Sequence, residues 1–390
     1  MPITFKVTYG GWYQRTTLHL SEIFELFANA NSYLDLSKEK IKEFQKNLNL
    51  KSVSRELGYL EYVKAITNDG IEIRYYEDGL YILEMSASSV KECKEKLENY
   101  FNEKLSPAIS YIFSLGAPTP KILANIKTLH PTVISINGMD IESGSLDKEI
   151  FQGIYSKVEE KDVAVYKSKD YIFVLYNPKN AFPINETVEM QIFFREFKDQ
   201  LEKYLNIHRK IWEEISVIKE RNEIKASDAS EYRKKLDSYQ KTISLISNRI
   251  NQMGTYARTR QSISKNIQLD KHLESLFQYR FEVLIDTLDY VKEIWKMTTD
   301  YVNSAIQVVV EVQNSITNKS IQSLTLITSV GVLAGLVVHL SREVYPKITV
   351  VGVSYLTLLI FAGGLLNWAV KKIQLNKKQK LKFSSFDDTI

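Results

Sequence analysis

The chain has a single cysteine, Cys93, in 390 residues. That excludes an internal disulfide framework and any metal cluster built on cysteines, and in helical surroundings a lone thiol reads as a buried packing group. Catalytic signatures are missing as well. There is no Gly-Lys-Ser/Thr phosphate loop, no GxSxG elbow, no GxGxxG turn and no HExxH pair, so an enzyme is not expected. The five histidines, His19, His130, His208, His272 and His339, are scattered and show no metal-ligand spacing. His208 lies on an apolar stripe and reads as a satisfied packing histidine, and His272 as an ordinary helix-surface one. Excess charge of one sign is lacking too, and a formal net charge of +4 gives no electrostatic case for a nucleic-acid polymer as partner. The opening MPITFKV has neither a charged leader nor a long apolar run, so no cleaved signal peptide is expected.

What is present begins with strand-like runs rich in β-branched and aromatic residues: ITFKVTY, YLEYVKAI, IEIRYY, LYILEMS, TVISING, VAVYKS and YIFVLYN. Two pairs read as hairpins, one turning at Glu77, Asp78 and Gly79 and the other near Lys169 and Asp170. Helical patterns at Leu20 to Ala28, Lys38 to Lys46 and Val90 to Leu115 alternate with them. Residues 1–185 are therefore expected to form an α+β domain with its own core, placed in the cytoplasm by the topology below.

From Val188 the strands stop and a three-to-four apolar stripe takes over, predicting long helices over about 188–224, 229–264 and 270–320. The last runs on without a break to Leu340, roughly 105 Å if continuous. One face of it reads Asp300, Ser304, Gln307, Glu311, Asn314, Asn318, Ile321, Thr325, Thr328, Val332, Gly335, His339, with greasy flanks on either side. That spacing averages about 3.5 residues, the repeat of a supercoiled bundle. For the part up to Asn314, a stalk whose polar face meets solvent competes with a wet seam between helices. The hydroxyls further on can also bond back to their own helix.

Two apolar stretches follow the stalk, at about 321–340 and 348–370, and are expected to span a membrane, leaving 371–390 as a basic tail. Lysines crowd beyond Trp368, whereas the connecting loop has Arg342 and Lys347, so the positive-inside rule puts both termini in the cytoplasm of a multi-pass protein of the inner or plasma membrane. Gly331 and Gly335 form a GxxxG pair that permits close helix contact or widens a pore. No internal repeat is present, so a closed pore requires a homo-oligomeric ring in the bilayer.

In layout the chain resembles the CorA superfamily of two-span divalent cation channels, over nearly its whole length. Asn318, followed six residues later by Leu324, Thr325, Leu326 and Ile327, is similar to that family's first-span entry. The resemblance implies a pentameric funnel conducting Mg2+ or another divalent cation, which would be substrate or regulator, with gating by a small ligand on the cytoplasmic domain. It makes Asn318, Ile321 and Leu324 or Thr325 the gate and Thr328, Val332, Gly335 and His339 the pore wall, with Asn314 on the same stripe at the pore or gate. Asp300, Glu311 and Glu343 would attract ions. The family's Gly-Met-Asn signature is absent, Ser341, Arg342, Glu343 and Val344 standing in its place, and the NGMD at Asn137 to Asp140 lies far from either span. Certain CorA-like proteins without that signature resemble this chain and are thought to act as membrane effectors in defence signalling, triggered by a nucleotide messenger. A non-conducting scaffold is the third reading.

Overall fold

The computed structural model describes residues 5–13, 19–87, 89–113, 131–138, 153–177, 182–219, 223–277, 281–340 and 378–380, with scattered positions between 350 and 373. Contacts divide the chain into two compact units, Met1–Ile207 with Ile246–Glu293, and His208–Leu245 with Ile294–Ile390.

The first unit is built on a nine-stranded sheet. Its strands are β1 (Phe5–Trp12), β2 (Leu50–Leu57), β3 (Glu61–Thr67), β4 (Glu72–Tyr76), β5 (Leu80–Ala87), β6 (Thr132–Asn137), β7 (Ser156–Glu159), β8 (Val163–Lys167) and β9 (Tyr171–Tyr176), in the order β2-β3-β4-β5-β1-β6-β9-β8-β7. All neighbours are antiparallel except β6 and β9, which run parallel. All seven runs picked out by β-branched and aromatic content are strands. The turn between β4 and β5 depends on glycine. Gly79 sits at φ 85°, and a Cβ there would lie 2.2 Å from the carbonyl oxygen of Tyr13, so any side chain would force the backbone apart.

One face of the sheet is covered by α1 (Leu20–Phe24, prolonged by a π turn over Glu25–Asn29), α2 (Lys38–Leu48), α3 (Val90–Tyr100) and α4 (Ser106–Phe113), with a second π turn at Phe101–Leu105 between the last two. Ile23, Leu26, Phe27, Leu97, Leu105 and Ile109 from these helices are fully buried with Val7, Val63, Ile73 and Phe173 from the strands. At about 25 cal/mol per Å² of apolar surface, this burial is the main stabiliser of the unit. Ser37 caps α2 by accepting from the Lys40 backbone amide, and Asn49 ends it in the left-handed conformation at φ 53°. The buried Cys93 thiol belongs to this core, and desolvation pushes it up to about 11, with Lys96 opposing, so it stays protonated.

The other face meets the long helices α5 (Ile184–Lys219) and α6 (Ala226–Asn266), which take over from the strands as the change of hydrophobic period predicts. Trp12 lies against Phe193 at 5.5 Å and stacks on Phe197 at 5.9 Å, with Tyr256 of α6 edge-on at 6.0 Å. Arg195 donates to the carbonyls of Pro131 (2.6 Å) and Gly10 (2.8 Å), tying α5 to two neighbouring strand ends. Then come α7 (Asp270–Phe277) and α8 (Phe281–Leu340).

In the second unit the expected helical character continues, with a short addition. Glu223–Lys225 and Lys378–Lys380 pair antiparallel as β10 and β11. The helix expected to reach residue 224 therefore gives way to a strand, and part of the expected basic tail is strand.

Among the described residues, no helix is long and apolar enough to cross a membrane. This corrects the expectation of two spans and of a multi-pass inner- or plasma-membrane protein with both termini in the cytoplasm. The described side chains of the first expected span are interrupted by Thr325, Thr328, Ser329, Gly331 and Gly335. The second expected span is described only at scattered positions.

Candidate functional site

The residues expected to gate and line a pore stand on α8. Asn314, Asn318, Thr325, Thr328 and Gly335 are exposed, as are Ile321 (55 %), Leu324 (44 %) and Val332 (60 %). His339 falls within the helix, its side chain outside what is described; Glu343 lies outside the described residues altogether. Asp300 and Glu311 are exposed on the same helix. The hydroxyls have local partners. Thr325 Oγ1 donates to the Ile321 carbonyl at 2.9 Å, Ser329 Oγ to that of Thr325 at 2.7 Å, and Thr328 to that of Leu324. Each closes on its own helix, which satisfies the group without a wet cavity. Among the described residues, a Cβ added at Gly331 or Gly335 meets nothing within 4 Å.

The first unit contains a different kind of site. Arg74 of β4 donates from Nη1 to Glu189 Oε1 at 2.9 Å and from Nη2 to Glu84 Oε2 at 3.2 Å. Arg260 of α6 donates from Nε to Asp78 Oδ2 at 2.8 Å and faces Glu189 Oε2 from Nη1 at 3.5 Å. Tyr76 adds its hydroxyl to Glu189 at 2.5 Å, and Lys6 reaches Glu84 at 2.6 Å. Three cations thus face three carboxylates drawn from β1, β4, the β4–β5 turn, β5, α5 and α6. Asp78 also receives the Leu80 amide on Oδ1 at 3.1 Å, and its carbonyl accepts the Trp12 indole N–H at 2.5 Å. Lys6 is 40 % exposed, but the other five are buried; buried charges persist only when paired, and deleting one of those five strands the others at a cost of about 3–5 kcal/mol.

Burial sets the electrostatics. Desolvation pushes the Glu189 carboxyl above its ordinary range, although Arg74, Arg260 and the Tyr76 hydroxyl all oppose it. Desolvation, then Glu189, raise Tyr76 in turn, keeping it a hydrogen-bond donor. The Arg260 guanidinium lies between two rings, 5.1 Å from the centre of Tyr76 and 5.7 Å from that of Phe193. Beside this network opens a cleft of about 220 Å³, lined by Gly58, Tyr59, Leu60, Tyr62, Arg74, Tyr76, Asn185, Glu186, Glu189, Met190, Arg260 and Ile263. Two buried donors on its lining residues, Arg74 Nε and Arg260 Nη2, have no hydrogen-bond partner. Arg74 Nε is nonetheless ion-paired with Glu72 Oε1 at 3.6 Å.

None of these residues stood out in the sequence. The available signal was charge at positions where the apolar stripe calls for grease: Glu189 inside VEMQIFF, Arg74 inside IEIRYY, and Arg260 in step with Met253, Ala257 and Ser264.

His272 stands on the helix surface, its side chain 43 % exposed, and it has a partner there. Its Nδ1 lies 2.6 Å from Glu160 Oε2, Ser275 donates to the same carboxylate, and the Phe182 ring stands edge-on at 5.7 Å, so α7 is tied to the β7–β8 turn. His208, half-buried, lies 5.7 Å from Trp212 and 6.1 Å from Trp295, a packing histidine whose pKa desolvation lowers, with help from Arg209. Among the described residues no group of three or more His, Cys, Asp or Glu side chains is placed to hold a metal ion.

No protein-family profile matches the chain, and no curated protein matches it.

Proposed function

We propose that the chain is a ligand-responsive, self-associating helical protein of the CorA-like layout, in which the α+β unit senses a small molecule in the cleft between β4 and the start of α5. The observation that carries this reading is the position of Glu189 and Arg260. They stand on α5 and α6, close on each other and on the sheet, and line an open cleft. A molecule seated there acts on both helices at once, and a ligand shifts an equilibrium only by such differential contact. In the CorA-like layout it is the long helices that convey the state of this domain. Conduction of a cation across a bilayer requires spans that the described helices lack and forms no part of this reading.

Self-association rests on α8, where Ile321, Leu324, Val332, Leu333 and Leu336 expose apolar side chains along one helix, more than a lone surface helix ordinarily leaves open. Sedimentation velocity on the full chain tests it. Oligomeric species are expected, and Leu324→Asp with Val332→Asp should shift them toward monomer. A monomeric wild type, or an unchanged distribution in the double variant, would overturn the self-associating half. The sensing half is tested by hydrogen exchange over residues 58–62, 184–190 and 256–263 with and without deproteinised cell extract. Protection confined to those segments is expected, and its absence would remove the cleft from the account.

A further inference from the structure

The short sheet of the second unit joins parts of the chain that lie far apart in sequence. β10 stands between α5 and α6, and β11 lies within a lysine run, Lys371, Lys372, Lys377, Lys378, Lys380 and Lys382. Gln240 of α6 donates to Asn303 of α8 at 2.9 Å, and Arg233 reaches Gln313 at 3.3 Å. The two helices therefore run antiparallel, and the residues that precede α6 fall beyond Gln313, level with the start of the uncovered stretch of α8. That helix continues to Leu340. By Lys378 the chain has come back to the level of β10, and its backbone pairs there with Glu223–Lys225.

The pairing is weak by construction. Three residues a side is shorter than an ordinary strand, and an isolated two-stranded sheet is marginal in water. The register sets Glu223 opposite Lys380 and Lys225 opposite Lys378, with Ile224 and Gln379 between them. Opposite charges across an antiparallel pair favour it and like charges oppose it. One pair of residues thus holds the sheet and the other works against it. A contact of this kind opens locally, while the rest of the fold stays closed.

We propose that β10 and β11 form a releasable clasp, a conformational device that holds the lysine run against the residues joining α5 to α6 and frees it on opening. Closed, it fixes the backbone of the run and pins the start of α6. Open, it leaves the run available to another partner. The like-charged pair sets the balance, and a carboxylate in place of Lys378 would keep the clasp shut. The device depends neither on a ligand in the cleft nor on association through α8.

The test is native-state hydrogen exchange on the full chain, read at residues 223–225 and 378–380. The best-protected amides there are expected to exchange at least tenfold more slowly than in an unstructured chain, and at least a hundredfold faster than those of β1. Glu223→Lys should lower the protection at least threefold, Glu223→Lys with Lys380→Glu should restore it, and Lys378→Glu should raise it at least threefold, all with an unchanged Tm. No protection in the wild type would remove the clasp, and protection equal to that of β1 would make it a fixed part of the fold. Charge variants that leave the protection unaltered would overturn the control assigned to the register. Ile224→Cys with Gln379→Cys supplies a second readout, since the other thiol, Cys93, is buried. Mild oxidation should link the two within one chain; a link between chains in its place would make β11 a strand exchanged between copies and overturn the device.

Discussion

Two stretches of the same helix, 294–312 and 314–336 of α8, both carry apolar side chains but in opposite surroundings. In the first, Trp295, Val302, Ala305, Val309 and Val312 are buried. Residues from 208–245 cover them: Trp212 stacks on Tyr301 at 4.2 Å, Gln240 donates to Asn303 at 2.9 Å, and Arg233 reaches Gln313 at 3.3 Å. In the second, Ile321, Leu324, Val332, Leu333 and Leu336 are open. Hydrophobic periodicity reports that a helix has a face to bury; it does not report whether the same chain supplies the cover.

The largest expected effect that separates the two stretches comes from truncation. Trp295→Ala should cost about 3–5 kcal/mol in urea unfolding, through lost burial plus a cavity. Leu333→Ala, measured under monomeric conditions, should stay within about 0.5 kcal/mol. Equal losses would mean that the second stretch is packed after all. Trp212→Ala removes the stack on Tyr301 and a half-buried ring, and should cost about 1–2 kcal/mol.

A smaller effect concerns pH. His208 has a folded-state pKa below its ordinary value of about 6.5, because burial disfavours the cation. The unfolded chain therefore binds the proton more readily, and the stability His208 contributes is complete above about 6.5 and lost as pH falls through the lowered value. The Tm should drop between pH 7.5 and 5.5 by more in the wild type than in His208→Gln, and parallel profiles would remove the histidine as the cause. Smallest of all, Thr325→Val should change stability by no more than about 0.5 kcal/mol, since its hydroxyl bonds only to its own helix. A larger loss would place a polar partner at the seam.

How far the sequence could be read follows the same logic of covered and uncovered faces. The seven strands it displayed include β1, β6 and β9 from the middle of the sheet, buried on both faces and written as β-branched and aromatic runs. The two it hid, β2 and β7, are the edges, and both carry mostly partly or fully exposed side chains. LKSVSREL and SKVE hold too few buried positions to show a pattern. The π turns at Glu25–Asn29 and Phe101–Leu105 hid inside expected helices, because one extra residue per turn leaves a short apolar stripe nearly unaltered. The cleft was illegible for another reason. Asp78, Glu189 and Arg260 are brought together across 182 positions of chain, and their pairing is a property of the sheet and the two helices laid upon it. A charge within an apolar stripe announces that a partner exists, not where it is.

The position of β1 has a consequence for synthesis of the chain. Of the nine described strands of the sheet, the first in chain order is the one that joins its two halves, pairing with β5 on one side and β6 on the other. The meander from β2 to β5 can close on β1 once residue 87 has emerged, because each of its pairings is a short-range hairpin or a single return. The edge of β1 that awaits β6 then stays open for a further stretch of translation, and β6 in turn waits for β9, its parallel neighbour. At about 5–20 residues per second, a nascent chain exposes an unpaired central strand for several seconds. That interval is when the protein is most open to pairing with another chain, and a ribosome stall between residues 90 and 130 would prolong it.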